Sequence, residues 1–283
     1  MNTFIAITSH VTHASPELHI SNSPDKMAKI LITGSADGIG QAAAKVLADN
    51  GHAVWLHARN NDRAASAHKA VPKAQGVLIG DISEVASMKA FAAKANETGP
   101  WDAVVHNAGL GLSTDGKKTA EGVAQIFSVN SMAPYVLTSL MEKPKRLLYV
   151  SSGLHMSGDD SLEDVGWTSG RSFVPMQAYN DTKLHNVLLA NAVAKRWTDV
   201  QSCSLDPGWV KTKLGGGGAP GSTDPPAKMI ASYAAGESVA GDKSGVYLNP
   251  GGVGKPHGAA TKGEKQDRLM QIYAELSGVS FPA

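Results

Sequence analysis

The 283 residues carry 26 lysines and arginines against 25 aspartates and glutamates, a formal net charge of +1, and 42% of them are hydrophobic. That balance excludes a basic nucleic-acid-binding stripe or a polybasic membrane patch as the organising feature. No apolar run approaches the roughly 18 residues of a spanning helix. Cys203 is the sole cysteine, which excludes an internal disulfide framework and suits a reducing, cytoplasmic setting. A chain of this length can bury a sizeable core without cross-links or metals.

Residues 1–26 are rich in Ser, Thr, His and Pro and lack the basic start and long apolar core of a secretory signal. They read as a poorly ordered arm or an upstream translation start, in which Phe4, Ile5, Ile7 and Val11 are the residues able to pack. Residues 27–283 read as one domain. From Lys29 a strand–turn–helix pattern repeats. KILIT is followed by the turn GSADGIG and the helix QAAAKVLADN; AVWLH by a helix around Asp62–Lys69; GVLIG by EVASMKAFAAKAN, with Ser83 as the expected N-cap. DAVVH leads into the loop NAGLGLSTDG, then a long helix from about Thr119 to Met141 with Pro134 inside it, where a kink is expected. KRLLYVS, VQSCSLD and GVYLN complete seven strands, and a loop-rich segment, 153–176, precedes the helix YNDTKLHNVLLANAVAKRW. Alternation at this spacing predicts an α/β fold, a doubly wound parallel sheet with helices on both faces and the loops that carry function on one rim.

Several groups of residues point to chemistry on that rim. Tyr179 and Lys183 are four apart on a helix, so hydroxyl and ammonium share one face. A phenol titrates near 10, and lowering it to about 7 takes roughly 4 kcal/mol, which a nearby cation in a partly desolvated cleft helps to supply. Such a pair serves as general acid for a ketone or general base for an alcohol. The turn Gly34-Ser35-Ala36-Asp37-Gly38-Ile39-Gly40 lies between strand and helix, where a dinucleotide pyrophosphate meets backbone N–H groups and the positive end of the helix. The tetrad His57-Ala58-Arg59-Asn60 offers no carboxylate to a ribose; Arg59 instead suits a 2′-phosphate, so NADP(H) is expected ahead of NAD(H), although Asp37 would oppose a phosphate. Asp81-Ile82 suits an adenine, with Asp81 as an alternative helix cap, and Asn107-Ala108-Gly109 is a small-residue turn that lets a cofactor approach. The pair Ser151-Ser152 places a hydroxyl on the rim beside Tyr179, and Pro207-Gly208-Trp209-Val210-Lys211-Thr212 can run beneath a nicotinamide and set Thr212 against its carboxamide. The ten histidines are scattered without metal-ligand spacing; His155 reads as a solvated loop residue near the site. The stretch Leu214–Pro226 is glycine-rich and able to close over a cofactor.

TGSADGIG, NAG, the serine pair, YNDTK and PGWVKT, in this order, resemble the short-chain dehydrogenase/reductase family over residues 28–250. The resemblance implies a single Rossmann-type domain, strand order 3-2-1-4-5-6-7, and hydride transfer between a nicotinamide and a small carbonyl or alcohol. It implies that Ser152 polarises the substrate, Tyr179 is the acid/base, Lys183 binds the ribose and tunes the tyrosine, and Asn130 belongs to a helix that holds a relay water. A homodimer or homotetramer is compatible with it. Ser152 and Tyr179 are 27 positions apart (179 − 152), which resembles the branch of retinol dehydrogenases and ketoreductases. The extra loop, with Trp167, Arg171 and Phe173, is expected to wall a substrate. Asp181-Thr182 replace small residues common in the family, at no evident cost.

Overall fold

The computed structural model describes residues 27–282. The readings made for residues 1–26 lie outside the described residues. In β1 (Lys29–Ile32), Ile30 and Ile32 join one buried cluster and Leu31 the other, the alternation of a strand covered on both faces. β1 pairs in parallel with β2 (Ala53–Ala58) and with β4 (Ala103–His106). β3 (Gly76–Ile79) extends the sheet beyond β2, and β5 (Arg146–Val150), β6 (Gln201–Leu205) and β7 (Tyr247–Asn249) extend it beyond β4. This is the expected order. An eighth strand, β8 (Gly252–Gly254), adds an antiparallel edge to β7. Its Gly-Val-Gly has too little side chain to show a strand pattern; the tight return after Asn249 lays it down.

α1 (Gly38–Asp49), α2 (Asn61–Ala70) and α7 (Asp224–Ala235) cover one face. α3 (Val85–Thr98), α4 (Gln125–Phe127), α5 (Ala133–Leu140), α6 (Pro175–Arg196) and α8 (Gly263–Ser277) cover the other. The chain runs from β1 out to β3 and returns to β4, so strand order reverses between β1 and β4. A crevice opens there at the carboxyl ends of the strands.

Three local expectations are corrected. The helix proposed from Thr119 starts at Gln125, because Thr119 and Val123 close a loop through backbone hydrogen bonds. It then passes through a π turn, Ser128–Met132, before α5. Pro134 has no N–H for the carbonyl four residues earlier, that of Asn130, and the π turn re-registers the bonds at that point. Ser83 does not cap α3. Glu84 holds the N-cap position, and the first amide, Val85 N–H, donates to the Glu121 carboxylate at 2.8 Å, from a loop 36 residues away.

α8 lies outside α6 and α5. Tyr273 stacks on Tyr135 at 4.7 Å, the Tyr135 hydroxyl donates to the Val279 carbonyl at 2.8 Å, and Ser131 Oγ meets Tyr273 OH at 2.6 Å. Burying Leu269, Ile272 and Tyr273 at roughly 1.5–3 kcal/mol each holds the helix down. α6 is consequently enclosed by sheet, loop and helix, and from Ala178 to Ala190 every side chain is buried. Among the described residues no helix is long and apolar enough to cross a membrane.

Candidate active site

The crevice is a cavity of about 400 Å³. Its floor is made of strand ends and of turns with little side chain. Gly34 sits at φ +63°, and a Cβ there would lie 2.6 Å from the Ala108 Cα, so only glycine lets these two turns touch. Asn107 Nδ2 donates to the carbonyls of Thr33 and Gly34, both at 3.0 Å, which ties the second turn to the first. His57, fully buried, donates from Nε2 to the Gly80 carbonyl at 2.9 Å and accepts the Gly34 N–H on Nδ1 at 2.9 Å. Burial holds it neutral by lowering its pKa. At the start of α1 the N-cap residue, Asp37, makes no side-chain cap bond, so the first-turn amides face the crevice without a capping oxygen. A glycine-built floor and uncapped amides fit the diphosphate of a dinucleotide.

The crevice gathers Gly34, Asp37, Gly38, Ile39, Arg59, Asp81, Ile82, Asn107, Ala108, Gly109, Tyr179, Lys183, Pro207 and Thr212 from the sequence expectation. Ser35, Gly40, Asn130, Ser152, Gly208 and Val210 are not on its wall, where Ser151 stands beside Tyr179 and Lys183. Ser35 Oγ is turned inward, donating to the Ile32 carbonyl at 2.8 Å and accepting the His57 N–H at 2.9 Å. Gly40 makes room for Asn107, whose Nδ2 would be 2.3 Å from a Cβ. The Asp81 carboxylate accepts the Ser83 N–H at 2.9 Å.

Two cations that sequence reasoning missed stand at this end. Arg63, in the first turn of α2, meets Asp37 at 2.6 Å, and Lys213 meets the same carboxylate at 3.2 Å. Burial alone would raise the Asp37 pKa, but these hydrogen bonds and charges outweigh it and hold the carboxyl below its usual range. The negative charge expected to oppose a phosphate is thus matched by two cations. Arg63 follows Arg59 by four residues, and that spacing was the available signal.

At the other end stand Ser152, which caps the turn Gly153–Ser157 after β5, and Tyr179, on α6. Burial pushes the Tyr179 phenol up to about 12; the nearby Ser152 hydroxyl lowers it in part, and the Asp206 charge raises it. The Tyr179 phenol is therefore neutral at pH 7. Ser152 Oγ itself accepts the Leu154 N–H at 3.3 Å. Lys183 does not bond to the phenol. Its Nζ donates to the Val150 carbonyl at 2.9 Å and lies 5.4 Å from the Tyr179 ring centre. Burial brings the ammonium down to about 8, with Asp206 opposing. Asn130 clamps the turn after β4: its Oδ1 accepts the Leu110 N–H at 2.6 Å, and its Nδ2 donates to the Leu110 carbonyl at 3.0 Å and to Thr182 Oγ1 at 3.2 Å. A Cβ on Gly109 would come within 3.4 Å of Asn130 and 3.7 Å of Lys183 Nζ. The turn therefore passes directly over both.

The segment between Ser152 and Tyr179 differs from expectation. His155 is buried, not solvated: Nδ1 donates to the Ser152 carbonyl at 2.7 Å and Nε2 accepts the His257 N–H at 3.1 Å. Trp167 is a core residue, with the Arg171 guanidinium 3.6 Å from its ring centre. Asp181 is also buried. It accepts the Asp159 N–H at 2.8 Å and the Gln177 side chain at 2.7 Å, and Arg171 approaches at 3.9 Å. The aspartate thus pins the long loop to α6, and burial raises its pKa. Lys213 and Leu214 bring the glycine-rich loop against the crevice.

A short chain dehydrogenase family model matches residues 28–146. An uncharacterized oxidoreductase of Emericella nidulans is 49% identical over 261 residues, 90% of this chain and 99% of that one. The short-chain dehydrogenase chyC of Penicillium rubens is 40% identical over 262 residues, 91% of this chain and 100% of that one. The NADPH-bound carbonyl reductase of chicken fatty liver shares the fold, with a TM-score of 0.62 at 21% identity over 80% of this chain and 98% of that one. The chain belongs to the short-chain dehydrogenase/reductase family, and it is an oxidoreductase of that class.

Proposed function

We propose that the enzyme is an NADP(H)-dependent carbonyl reductase or alcohol dehydrogenase in which Tyr179 exchanges the proton with the substrate oxygen. The observation that carries this reading is the Tyr179–Lys183 pair on one face of α6, both lining the crevice, with Lys183 Nζ 5.4 Å from the Tyr179 ring centre. The dinucleotide, when bound, supplies or accepts the hydride. Ser152 donates a hydrogen bond to the substrate oxygen and stabilises the charge that develops on it. Tyr179 gives its proton to that oxygen in reduction and takes it back in oxidation. Lys183 holds positive charge behind the ring and would hold the cofactor ribose. The Asn130 clamp keeps the turn above Lys183 in place, and its helix is the proposed seat of a relay water.

The choice of NADP(H) is supported by Arg59 and Arg63 at one end of the crevice and by the absence of an acidic residue in the tetrad 57–60. Gly34, Gly38, Ile39 and Asn107 to Gly109 would cradle the diphosphate and ribose, Asp81 and Ile82 the adenine, and Pro207 and Thr212 the nicotinamide. An NAD-linked alcohol dehydrogenase is the second reading, favoured by Asp37, whose charge Arg63 already answers. The retinol dehydrogenase and ketoreductase branch is the finer placement, supported by the 27-residue spacing (179 − 152) and by the retinol dehydrogenases among more distant relatives, at 30% identity. The cytoplasm is the proposed setting. An assembly of copies would use faces other than those of α5 and α6 that α8 covers. The test is loss of NADPH absorbance with a panel of ketones. Turnover with NADPH, and far less with NADH, is the expected result; binding of both dinucleotides with no ketone reduced would refute the reading.

A further inference from the structure

We infer that the substrate is a bulky, predominantly apolar carbonyl compound, bound on a rim of exposed apolar side chains around Ser152 and Tyr179. Among the described residues ten large hydrophobic side chains are exposed, and seven of them stand on the loops that frame the site. The other three, Met27, Val239 and Val253, are on other parts of the chain. Single exposed apolar residues need no explanation; a group of them around a reactive centre does. Leu154 and Met156 lie on the turn that starts at Ser152, and Met156 is 54% exposed. Val174 and Met176 open α6, and Met176 is one turn before Tyr179 on the same face. Gln177 Nε2 donates to the Ser157 carbonyl at 3.2 Å, which holds these two segments side by side.

Across the crevice stand Trp209, 64% exposed, and Leu214. Trp209 Nε1 donates to the Gly215 carbonyl at 2.9 Å, so the indole is tethered to the loop that carries Leu214. Leu214 lines the crevice together with Tyr179, and it packs against Gly111, where a Cβ would meet its Cγ at 3.0 Å. Leu214 is therefore the rim side chain that also lines the cavity holding Tyr179 and Lys183. An adjoining cavity of about 280 Å³ shares Leu110, Gly111 and Ser113 with the crevice; Ile126 and Phe173 line it on one part and Thr114, Asp115, Lys117 and Gln125 on another, so the apolar surface offered to a substrate is that of the exposed rim. A ketone bearing rings or a long chain covers this surface from water; a small polar one leaves it wet. Methionines at the edge of the rim let it fit more than one shape. The loop from Ser152 to Tyr179, tied down by Asp181, holds one side of the rim in place.

This inference rests on the reading of the site as a carbonyl reductase, and the experiment separates the two. The full chain is assayed with NADPH and a series of 2-alkanones from 2-butanone to 2-decanone, then with acetonaphthone. The expected kcat/KM rises about fourfold per added methylene over the first members. A double variant, Met156→Ser with Met176→Ser, is expected to lower the acetonaphthone-to-butanone ratio of kcat/KM at least tenfold, through KM, with the NADPH Kd unaltered. Turnover that is flat across the series, or a variant that keeps the ratio, overturns the apolar substrate. A variant that keeps the ratio and changes the mass in light scattering, or abolishes binding to phosphatidylcholine vesicles, gives the rim to a second copy or a lipid surface and overturns it too. No turnover of any ketone, 2-butanone included, refutes the underlying reading instead.

Discussion

Replacing Arg63 by alanine tests the dinucleotide end of the crevice. Arg63 is one-third exposed and already bonded to Asp37 at 2.6 Å. A charge-assisted hydrogen bond from Arg63 to a 2′-phosphate is worth about 1.5–3 kcal/mol. Loosening the partly exposed pair with Asp37 sets about 0–1 kcal/mol against it. The net loss is about 0.5–3 kcal/mol, which weakens NADPH binding by roughly 2-fold to 150-fold. NADH has no phosphate to lose, so its Kd should move less than about twofold. The converse change, Asp37→Asn, removes the competitor and its charge, and should tighten NADPH by up to about fivefold on the same arithmetic. Isothermal titration of both dinucleotides against wild type and the two variants gives the answer. Equal losses for NADPH and NADH in Arg63→Ala, or no loss for either, would refute the assignment of a 2′-phosphate to this corner.

Other predictions follow from the same geometry. His106 and His185 are buried, and burial brings each down to about 3. In the unfolded chain both take a proton below about 6.5, so between about 6.5 and 3 the unfolded state binds more protons and stability falls as pH falls. At pH 5.5 the two together should cost about 3 kcal/mol, visible as a lower urea midpoint than at pH 8; a midpoint unchanged between these pH values would contradict their neutrality. Gly34→Ala places a side chain at φ +63° and against the Ala108 backbone. It should cost about 2–5 kcal/mol and abolish dinucleotide binding, whereas retained binding would show that the two turns need not touch. Asp206→Asn removes a charge that raises both Tyr179 and Lys183, so the pH–rate profile should shift to lower pH; a shift to higher pH, or none, would deny Asp206 that influence.

The parts of the site that were legible in sequence are those written in short-range spacing. Tyr179 and Lys183 are one helical turn apart, and Gly34 to Gly40 fill a turn between a strand and a helix, so local pattern and tertiary role coincide. The parallel sheet with helices on both faces followed from alternation, and the strand order from the family resemblance. What was hidden depends on residues distant in sequence. Asp37 is answered by Lys213 from the far side of the crevice, and Val85 is capped by Glu121 from another loop. Asp181 looked neutral because its partners, Asp159 and Arg171, sit in a loop with no periodicity. The π turn at Asn130 was foreshadowed by Pro134, but a proline signals a disturbance without saying which. The burial of Tyr179, which raises its phenol more than any other influence, is invisible in sequence.

The proposed catalysis rests on one proton moving between the Tyr179 hydroxyl and the substrate oxygen. Tyr179→Phe keeps the ring and deletes that proton, and single-turnover reduction of acetonaphthone by the NADPH complex reads the step directly. A fall of at least about 100-fold, with the NADPH Kd within twofold of wild type, is the predicted result. A rate within a few-fold of wild type would contradict it.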